Sequence, residues 1–270
     1  MQTIVFASQK GGSGKTTLAA HMAVQASTAG LGSVAMIDTD PQGSLHGWWK
    51  MRADATPALI RSNAEDLPQD LERLRSQGHR LAVIDTQPAV TEAICDVVKH
   101  ADLVVIPCRP SPHDLRAVGA TVDIVERWQK HMIFVVNSAT RRARITAEAA
   151  VALSQHGTVA PATLHHRVDF AASMIDGRTV METGPDGKSA NEVIALWDYM
   201  ETRMGRINQI PMPYETAQLG GEGHATFGSR HKSGDQTPAG LQTVHHVAPQ
   251  NAGLRRPVGP FGRRFATDAS

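Results

Sequence analysis

Residues 3–17 read TIVFASQKGGSGKTT, which joins an apolar, strand-like run to a glycine-rich stretch and then to a helix-like segment. Glycines let the backbone curve closely around phosphate oxygens with its N–H groups pointing inward, and the following helix adds its positive N-terminal end. Lys15 supplies a positive charge for the β and γ phosphates, and the Thr16 hydroxyl is placed to ligate Mg²⁺. The stretch therefore predicts a binding loop for ATP and Mg²⁺, with a ligand-free glycine-rich turn as the alternative.

Residues 1–204 alternate short apolar runs with amphipathic stretches, which is typical of repeated strand–helix units. Unbroken runs such as LAVI and MIFVV indicate parallel strands covered on both faces. The pattern predicts an α/β fold with a doubly wound, mostly parallel sheet, whose ligand lies at the carboxyl ends of the strands. The predicted strands are Thr3–Ala7, Ser33–Ile37, Ala58–Arg61, Arg80–Ile84, Leu103–Pro107, Met132–Val136 and Thr158–Pro161. The predicted helices are Lys15–Ala29, Leu67–Gln77, Asp114–Gln129, Ile145–His156 and Ser189–Arg203.

The composition bounds the remaining possibilities. With 270 residues and a net charge of +1, the chain is not a bulk-charge nucleic-acid binder, so any DNA contact has to come from a local cluster of arginines. Two cysteines exclude a disulfide framework and give no metal-ligand spacing. We expect a cytoplasmic protein, because Met1 leads straight into a strand-like run and no 18-residue apolar stretch occurs. Residues 205–270 are rich in Gly, Pro and His and predict a disordered tail.

The string KGGSGKTT, residues 10–17, resembles the deviant Walker A loop of the ParA/MinD family of P-loop ATPases. Gln9 stands where the usual loop has its first glycine, and Lys10 precedes the glycines. In the family this early lysine reaches across a dimer to the partner subunit's phosphates, and the resemblance gives that role to Lys10. A solvated surface lysine is the alternative. The predicted nucleotide-binding residues of the loop are Gly11, Gly12, Ser13, Gly14, Lys15, Thr16 and Thr17.

Two acidic motifs follow later strands. Residues 38–44, DTDPQGS, come directly after the second strand, where a carboxylate beside a triphosphate can order metal-bound or attacking water. The resemblance implies that Asp40 positions the hydrolytic water and that Asp38 supports the metal, whereas turn formation alone would also favour Asp-Pro. The run LAVID resembles a Walker B strand, in which Asp85 binds Mg²⁺. Gln87 departs from the family pattern and leaves the role of the next segment open.

Weaker signals come from the later strands. Residues 106–115, IPCRPSPHDL, resemble the family's proline-rich segment, in which Asp114 caps the next helix or contacts the dimer partner. In relatives an asparagine at the position of Asn137 contacts adenine, and a turn asparagine is the alternative. The resemblance also implies a basic surface that binds DNA without sequence preference in the ATP-bound dimer. Its candidates, each of which is otherwise a solvated side chain, are Arg141, Arg142, Arg144, Arg167 and Arg178.

Together these motifs identify the chain as similar to the ParA-type partition ATPases, most of all to the short plasmid-partition forms. The resemblance implies an ATP-bound homodimer on nucleoid DNA, slow intrinsic turnover, and a ParB-type partner that stimulates hydrolysis to segregate a plasmid, chromosome region or similar cargo. A MinD-like membrane-associated positioning ATPase is the main alternative, but Pro257 and Gly259 interrupt the one candidate amphipathic helix. An iron–sulfur reductase needs paired cluster cysteines, whereas Cys95 and Cys108 flank a strand without a recognisable cluster pattern. A tyrosine kinase needs a tyrosine-rich tail, whereas the chain has only Tyr199 and Tyr214.

Overall fold

The computed structural model describes residues 1–88 and 92–207, and within them six parallel strands form one sheet in the order β3-β2-β4-β1-β5-β6. The predicted doubly wound α/β fold is confirmed. The strands are β1 (Gln2–Phe6), β2 (Val34–Asp38), β3 (Ala58–Arg61), β4 (Leu81–Asp85), β5 (Leu103–Cys108) and β6 (His131–Val136). The helices are α1 (Lys15–Thr28), α2 (Ser44–Lys50), α3 (Leu67–Ser76), α4 (Glu92–Val98), α5 (Pro112–Arg127), α6 (Arg144–Ser154), α7 (Val168–Ser173), α8 (Val180–Thr183) and α9 (Lys188–Ile207).

Both faces of the sheet are buried, which explains the unbroken apolar runs. Along β1, Ile4 and Phe6 pack into one core layer while Val5 packs into the other, because successive side chains of a strand point to opposite faces. The first layer includes buried residues of α1 and α9, such as Leu18 and Trp197. The second includes residues of α3, α4, α5 and α6. Because both faces of the sheet are covered, only the ends of its strands are accessible to a ligand.

The seventh predicted strand, Thr158–Pro161, is wrong as an extended strand. Its backbone pairs with β6 through an isolated bridge between Phe134 and Val159, made by two hydrogen bonds to Phe134. Pro161 has no N–H with which to continue the pairing. The short helices α2, α4, α7 and α8 were not predicted, because four to seven residues are too few to show a helical period.

The described part of the chain bears on two further expectations. Within residues 1–88 and 92–207, no helix is long and apolar enough to cross a membrane. The predicted disordered tail lies almost entirely outside the described residues, since the description ends at Ile207. The division of the chain at residue 204 accordingly stays a prediction.

A buried histidine joins α1 to α8. The His21 ring is fully buried, its Nδ1 lies 2.7 Å from the carbonyl oxygen of Thr17, and its Nε2 accepts the N–H of Val180 at 3.2 Å. These contacts require a neutral ring with the proton on Nδ1. Burial accordingly lowers the pKa of His21 to about 4. The ring also lies against Phe170, with centroids 5.4 Å apart.

We expect His21→Gln to make unfolding less sensitive to acid. Between pH 6.5 and 4 the unfolded chain binds a proton at this position and the folded chain does not, so His21 lowers stability as the pH falls through that range. Removing the group should reduce the loss of unfolding free energy between pH 7 and pH 5 by about 2 kcal/mol. Urea unfolding at the two pH values measures this loss. The exposed His156→Gln is the control, and equal losses in wild type and His21→Gln would contradict the expectation.

Candidate nucleotide site

The strand register brings the acidic residues to one edge of the sheet. Asp85 is the partner of Phe6 on one side and of Asp38 on the other, so β1, β4 and β2 end at the same level. The loop that leaves β1 therefore passes directly beside two carboxylates from neighbouring strands. This is the edge at which ligands bind in doubly wound sheets.

The glycine-rich loop curves through backbone conformations that favour glycine. Gly12 and Gly14 have φ values of 71° and 96°, and Gly14 is the N-cap of α1. A Cβ on Gly14 would collide with the side-chain nitrogen of Asn137. That nitrogen donates to the carbonyl oxygen of Ser13 at 2.7 Å, so Asn137 braces the loop from the end of β6. Its predicted contact with adenine stays a prediction.

Lys15 lies inside the loop. Its residue is 6% exposed, and its Nζ donates to the carbonyl oxygens of Ser8 at 3.3 Å and Lys10 at 3.4 Å. Burial lowers the pKa of Lys15, while the charges of Asp85 and Asp40 oppose that shift. The ammonium group thus faces the interior of the loop, where its acceptors are neutral backbone oxygens.

Thr16 and Asp85 form the acidic side of the site. The Thr16 hydroxyl donates to Asp85 Oδ2 at 2.6 Å, and the second oxygen, Oδ1, is buried with no hydrogen-bond partner among the described residues. Burial raises the pKa of Asp85 to about 7, against the opposing effect of the Thr16 hydrogen bond. A buried carboxylate oxygen without a donor beside a hydroxyl is a suitable ligand pair for a hard cation.

Asp38 and Asp40 shape the turn after β2. Asp38 accepts the backbone N–H groups of Asp40 at 3.1 Å and His46 at 2.8 Å, and burial raises its pKa. Asp40 is 9% exposed and accepts the N–H of Gln42 at 2.9 Å, as expected for an Asp-Pro turn. Asp40 also faces the cavity described next, so the turn function and a role beside the nucleotide coexist in one residue.

A cavity of about 660 Å³ opens over the loop. One wall contains loop residues together with Asp40 and Asn137. The rest of the lining was not predicted to lie at the nucleotide, and Arg167, which belongs to it, was predicted to contact DNA instead. These residues include His165, His166, Arg167, Phe170, Ala171 and Met174. The size suits a nucleotide, and the phosphate-binding end is the loop.

The five candidate arginines do not share one environment. Arg167 lines the cavity wall, and both of its terminal nitrogens donate to the carboxylate of Glu192. Arg178 pairs with Asp176 on the surface. Arg141, Arg142 and Arg144 lie together, exposed, between β6 and the first turn of α6. Arg144 pairs with Glu148 at 2.6 Å.

The assignment of Asp114 as a helix cap is wrong. Helix α5 begins at Pro112, and Ser111 is its N-cap, with Ser111 Oγ accepting the Asp114 N–H at 3.1 Å. The Asp114 carboxylate instead accepts from Ser111 Oγ and from Arg109 Nε. Arg109 was missed as a candidate. Like Asp38 and Asp85, it lies at the carboxyl end of a central strand, and that position is the signal that singles it out.

Comparison with known proteins shows the family of the chain. Residues 4–180 match the CbiA family model, described as the CobQ/CobB/MinD/ParA nucleotide binding domain. The chain belongs to this family. It is therefore a nucleotide-binding ATPase of the ParA/MinD type, which confirms the resemblance carried by the loop.

Individual relatives agree with this assignment. The "Maintenance of carboxysome distribution protein A" of Halothiobacillus neapolitanus is 30% identical over 202 residues, which cover 71% of this chain and 92% of that protein. "Protein IncC" of Escherichia coli is 29% identical over 258 residues, covering 76% and 70%. The structure of the septum site-determining protein MinD of Pyrococcus horikoshii with Mg-ADP shares the fold, with a TM-score of 0.62 and 15% identity, covering 77% of this chain and 99% of that one.

We expect Asp85→Asn to stabilise the nucleotide-free protein while abolishing ATP hydrolysis. The folded chain keeps a proton on Asp85 up to about pH 7, whereas the unfolded chain loses it near pH 4, so this group destabilises the fold as the pH rises between those values. The advantage of the variant in unfolding free energy should be about 2 kcal/mol larger at pH 8 than at pH 5.5.

Urea unfolding in EDTA at both pH values measures this difference. Asp123→Asn, on the exposed face of α5, is the matched control. A variant that is less stable than wild type at pH 8 would show that the ionised Asp85 stabilises the empty site.

Proposed function

We propose that the chain is a ParA-type positioning ATPase that forms a sandwich homodimer with ATP, with Lys10 crossing to the partner's phosphates. The observation that carries this proposal is the contrast between the two loop lysines. Lys15 is buried and lines the cavity, whereas Lys10 is exposed, is not among the described residues that line it, and makes no ion pair within the described part of the chain. An exposed cation on the outer side of a phosphate loop suits a second nucleotide better than its own.

The site residues divide the chemistry of ATP hydrolysis. Lys15 and the loop N–H groups bind the phosphates, and Asp40 orients the attacking water. Thr16, Asp85 and Asp38 would hold Mg²⁺, because together they supply a hydroxyl, a buried carboxylate oxygen without a donor and a neighbouring carboxylate. The ion, when bound, neutralises charge on the phosphates. Because Asp38 and Asp85 are assigned to the metal and Asp40 to the orientation of water, no carboxylate is left over as a strong general base, and we expect slow intrinsic turnover.

The DNA-binding surface of the proposal is the basic segment, which we define as Arg141, Arg142 and Arg144. Arg141 and Arg142 make no ion pair within the described residues, and the side chain of Arg144 is 91% exposed despite its pairing with Glu148. Arg167 is excluded from this surface because Glu192 already holds its guanidinium group. Phosphate contacts from such a segment bind DNA without sequence preference and weaken in salt.

For the cargo, the name of the first relative favours a carboxysome-type protein compartment. That relative is matched over 92% of its length and is named for carboxysome distribution. Partition of a plasmid with a ParB-type activator is the second candidate, supported by the resemblance of the motifs to the short plasmid-partition proteins. Both cargoes use the same cycle, in which ATP binding loads the dimer on nucleoid DNA and an activator bound to the cargo releases it.

We expect DNA binding to require ATP and Lys10. A gel shift with ATP, ADP and no nucleotide should show a complex only with ATP for wild type, and none for Lys10→Ala. The reason is that Lys10 completes the partner's site and the dimer presents two basic segments at once. Binding of a fluorescent ATP analogue should be retained by the variant, because Lys10 lies outside the cavity.

The exposed Lys50→Ala serves as the matched control. Molar mass from light scattering, with and without ATP, follows dimer formation in the same samples. Binding of wild type to DNA without nucleotide would contradict the gating, and a monomeric ATP complex would contradict the proposal as a whole.

We expect Arg141→Glu with Arg142→Glu to abolish DNA binding and leave the ATP-bound dimer intact. Two arginines in each of two subunits make four phosphate contacts, so the slope of log K against log salt should change by about 3 to 4 between wild type and the neutral double variant Arg141→Ala with Arg142→Ala. Fluorescence anisotropy of a DNA duplex over a salt series measures the slope. Arg73→Glu with Arg75→Glu, on the exposed face of α3, changes the net charge equally and should leave DNA binding largely intact.

A further inference from the structure

Arg109 lies on the opposite side of the phosphate loop from Asp85. It directly follows β5, which pairs with β1 on one side while β4 pairs with β1 on the other. The loop that leaves β1 therefore runs between a carboxylate and a guanidinium group. Asp85 is already assigned to the metal side of the site, whereas the ATPase cycle described above makes no use of Arg109.

The guanidinium group of Arg109 lies close to the loop. A Cβ added to Gly12 would lie 3.6 Å from Nη2 and 4.0 Å from Cζ of Arg109. Gly12 lies between Lys10 and Lys15 in the loop. Arg109 therefore lies beside the middle of the loop, at the point where its exposed part becomes buried.

Asp114 holds Arg109 by one edge only. Nε of Arg109 donates to Asp114 Oδ1 at 3.2 Å, and Asp114 is 5% exposed and fixed by Ser111 Oγ on its other oxygen. The terminal nitrogens of Arg109 have no hydrogen-bond partner among the described residues, and 40% of the side chain is exposed. An arginine that is oriented through Nε keeps a planar pair of donors, and this pair matches two phosphate oxygens.

Arg109 does not belong to the described lining of the chain's own nucleotide cavity. Gly12, Gly14 and Lys15 line the cavity, whereas Arg109 and Lys10 are not among the described residues that do so. Both cations are thus solvent-accessible and outside the described lining of the cavity. We infer that Arg109 acts in trans beside Lys10, with its two terminal nitrogens on the phosphates of the partner subunit's ATP in the closed dimer.

The inference rests on the ATP-bound dimer proposed above and adds a second crossing cation to it. A purely structural role, in which Arg109 supports the loop of its own subunit, predicts a different result. Such a support would act in cis, would weaken ATP binding in the same chain, and could not be supplied by a partner.

Complementation between two inactive variants separates these possibilities. Asp40→Ala lacks the residue that orients water, and Arg109→Ala lacks the crossing guanidinium group. In a mixed dimer, the site of the Arg109→Ala subunit keeps its own Asp40 and receives Arg109 from the Asp40→Ala subunit. If Arg109 acts in trans, the site of the Arg109→Ala subunit is active in the mixed dimer. If Arg109 acts in cis, both sites of the mixed dimer are inactive.

We expect Arg109→Ala alone to lower ATP hydrolysis at least about tenfold, as the loss of one fixed transition-state donor does in other enzymes. Its affinity for a fluorescent ATP analogue should stay within about threefold of wild type. An equimolar mixture with Asp40→Ala should recover about a quarter of wild-type turnover, because half of the dimers are mixed and each has one complete site. Hydrolysis of radiolabelled ATP is sensitive enough for a slow enzyme.

Two comparisons make the outcome decisive. Lys10→Ala mixed with Asp40→Ala tests the crossing lysine in parallel, and Arg127→Ala, exposed at the far end of α5, controls for loss of positive charge. Arg109→Lys, which fills similar space but lacks the planar donor pair, should behave as Arg109→Ala does if the fold is unaffected. If hydrolysis recovers when Lys10→Ala is mixed with Asp40→Ala but not when Arg109→Ala is mixed with it, the role of Arg109 is overturned. The proposed dimer is then still supported. Absence of an ATP-dependent dimer in wild type overturns both the role of Arg109 and the proposed function.

Discussion

Parallel pairing of β1, β4 and β2 in one register is the constraint on which the site depends. Phe6, Asp85 and Asp38 lie side by side at the end of three neighbouring strands, so the loop after β1 cannot avoid the two carboxylates. A shift of one residue in β4 would turn Asp85 to the opposite face of the sheet and bring an apolar side chain to the loop. The apolar layers on both faces of the sheet fix this register and therefore also fix the spacing between the phosphate cation and the acidic side.

The site is also where the fold accepts an energetic cost. Asp85 is fully buried with one oxygen unpaired, Asp38 lies beside it, and Ser13 Oγ is buried without a partner among the described residues. Buried polar atoms without partners destabilise a fold, and such atoms concentrate at functional sites. The compensation comes from elsewhere, since β1, β4 and their neighbours are almost completely surrounded by apolar side chains.

The sequence predicted those parts of the site whose chemistry restricts the residue types. A loop ending in Gly14, Lys15 and Thr16, and a strand ending in Asp85, have few other uses, and the strand alternation that locates them is strong. Arg109 was missed because its importance depends on β5 lying beside β1, and strand order cannot be read from local pattern.

The environments of the arginines could not be predicted from the sequence, for a related reason. Arg167 belongs to a basic run in the sequence, but its partner Glu192 comes from α9, 25 residues later, and turns the guanidinium group into part of the cavity wall. Thr158–Pro161 has the composition of a strand and still forms a single bridge. Sequence pattern reports what a segment can pair with, whereas the number of pairs formed depends on the edge strand that it meets.

The hydrogen bonds between Lys15 and the carbonyl oxygens of Ser8 and Lys10 have a consequence for the exchange of nucleotide. These two carbonyl oxygens accept hydrogen bonds from the ammonium group, so the loop itself orders the lysine side chain, which then loses little entropy when it binds phosphate. Arrival of ATP is then an exchange of acceptors, from neutral oxygens to anionic ones. Release of the product is the reverse exchange, so the buried ammonium group of Lys15 has hydrogen-bond acceptors throughout.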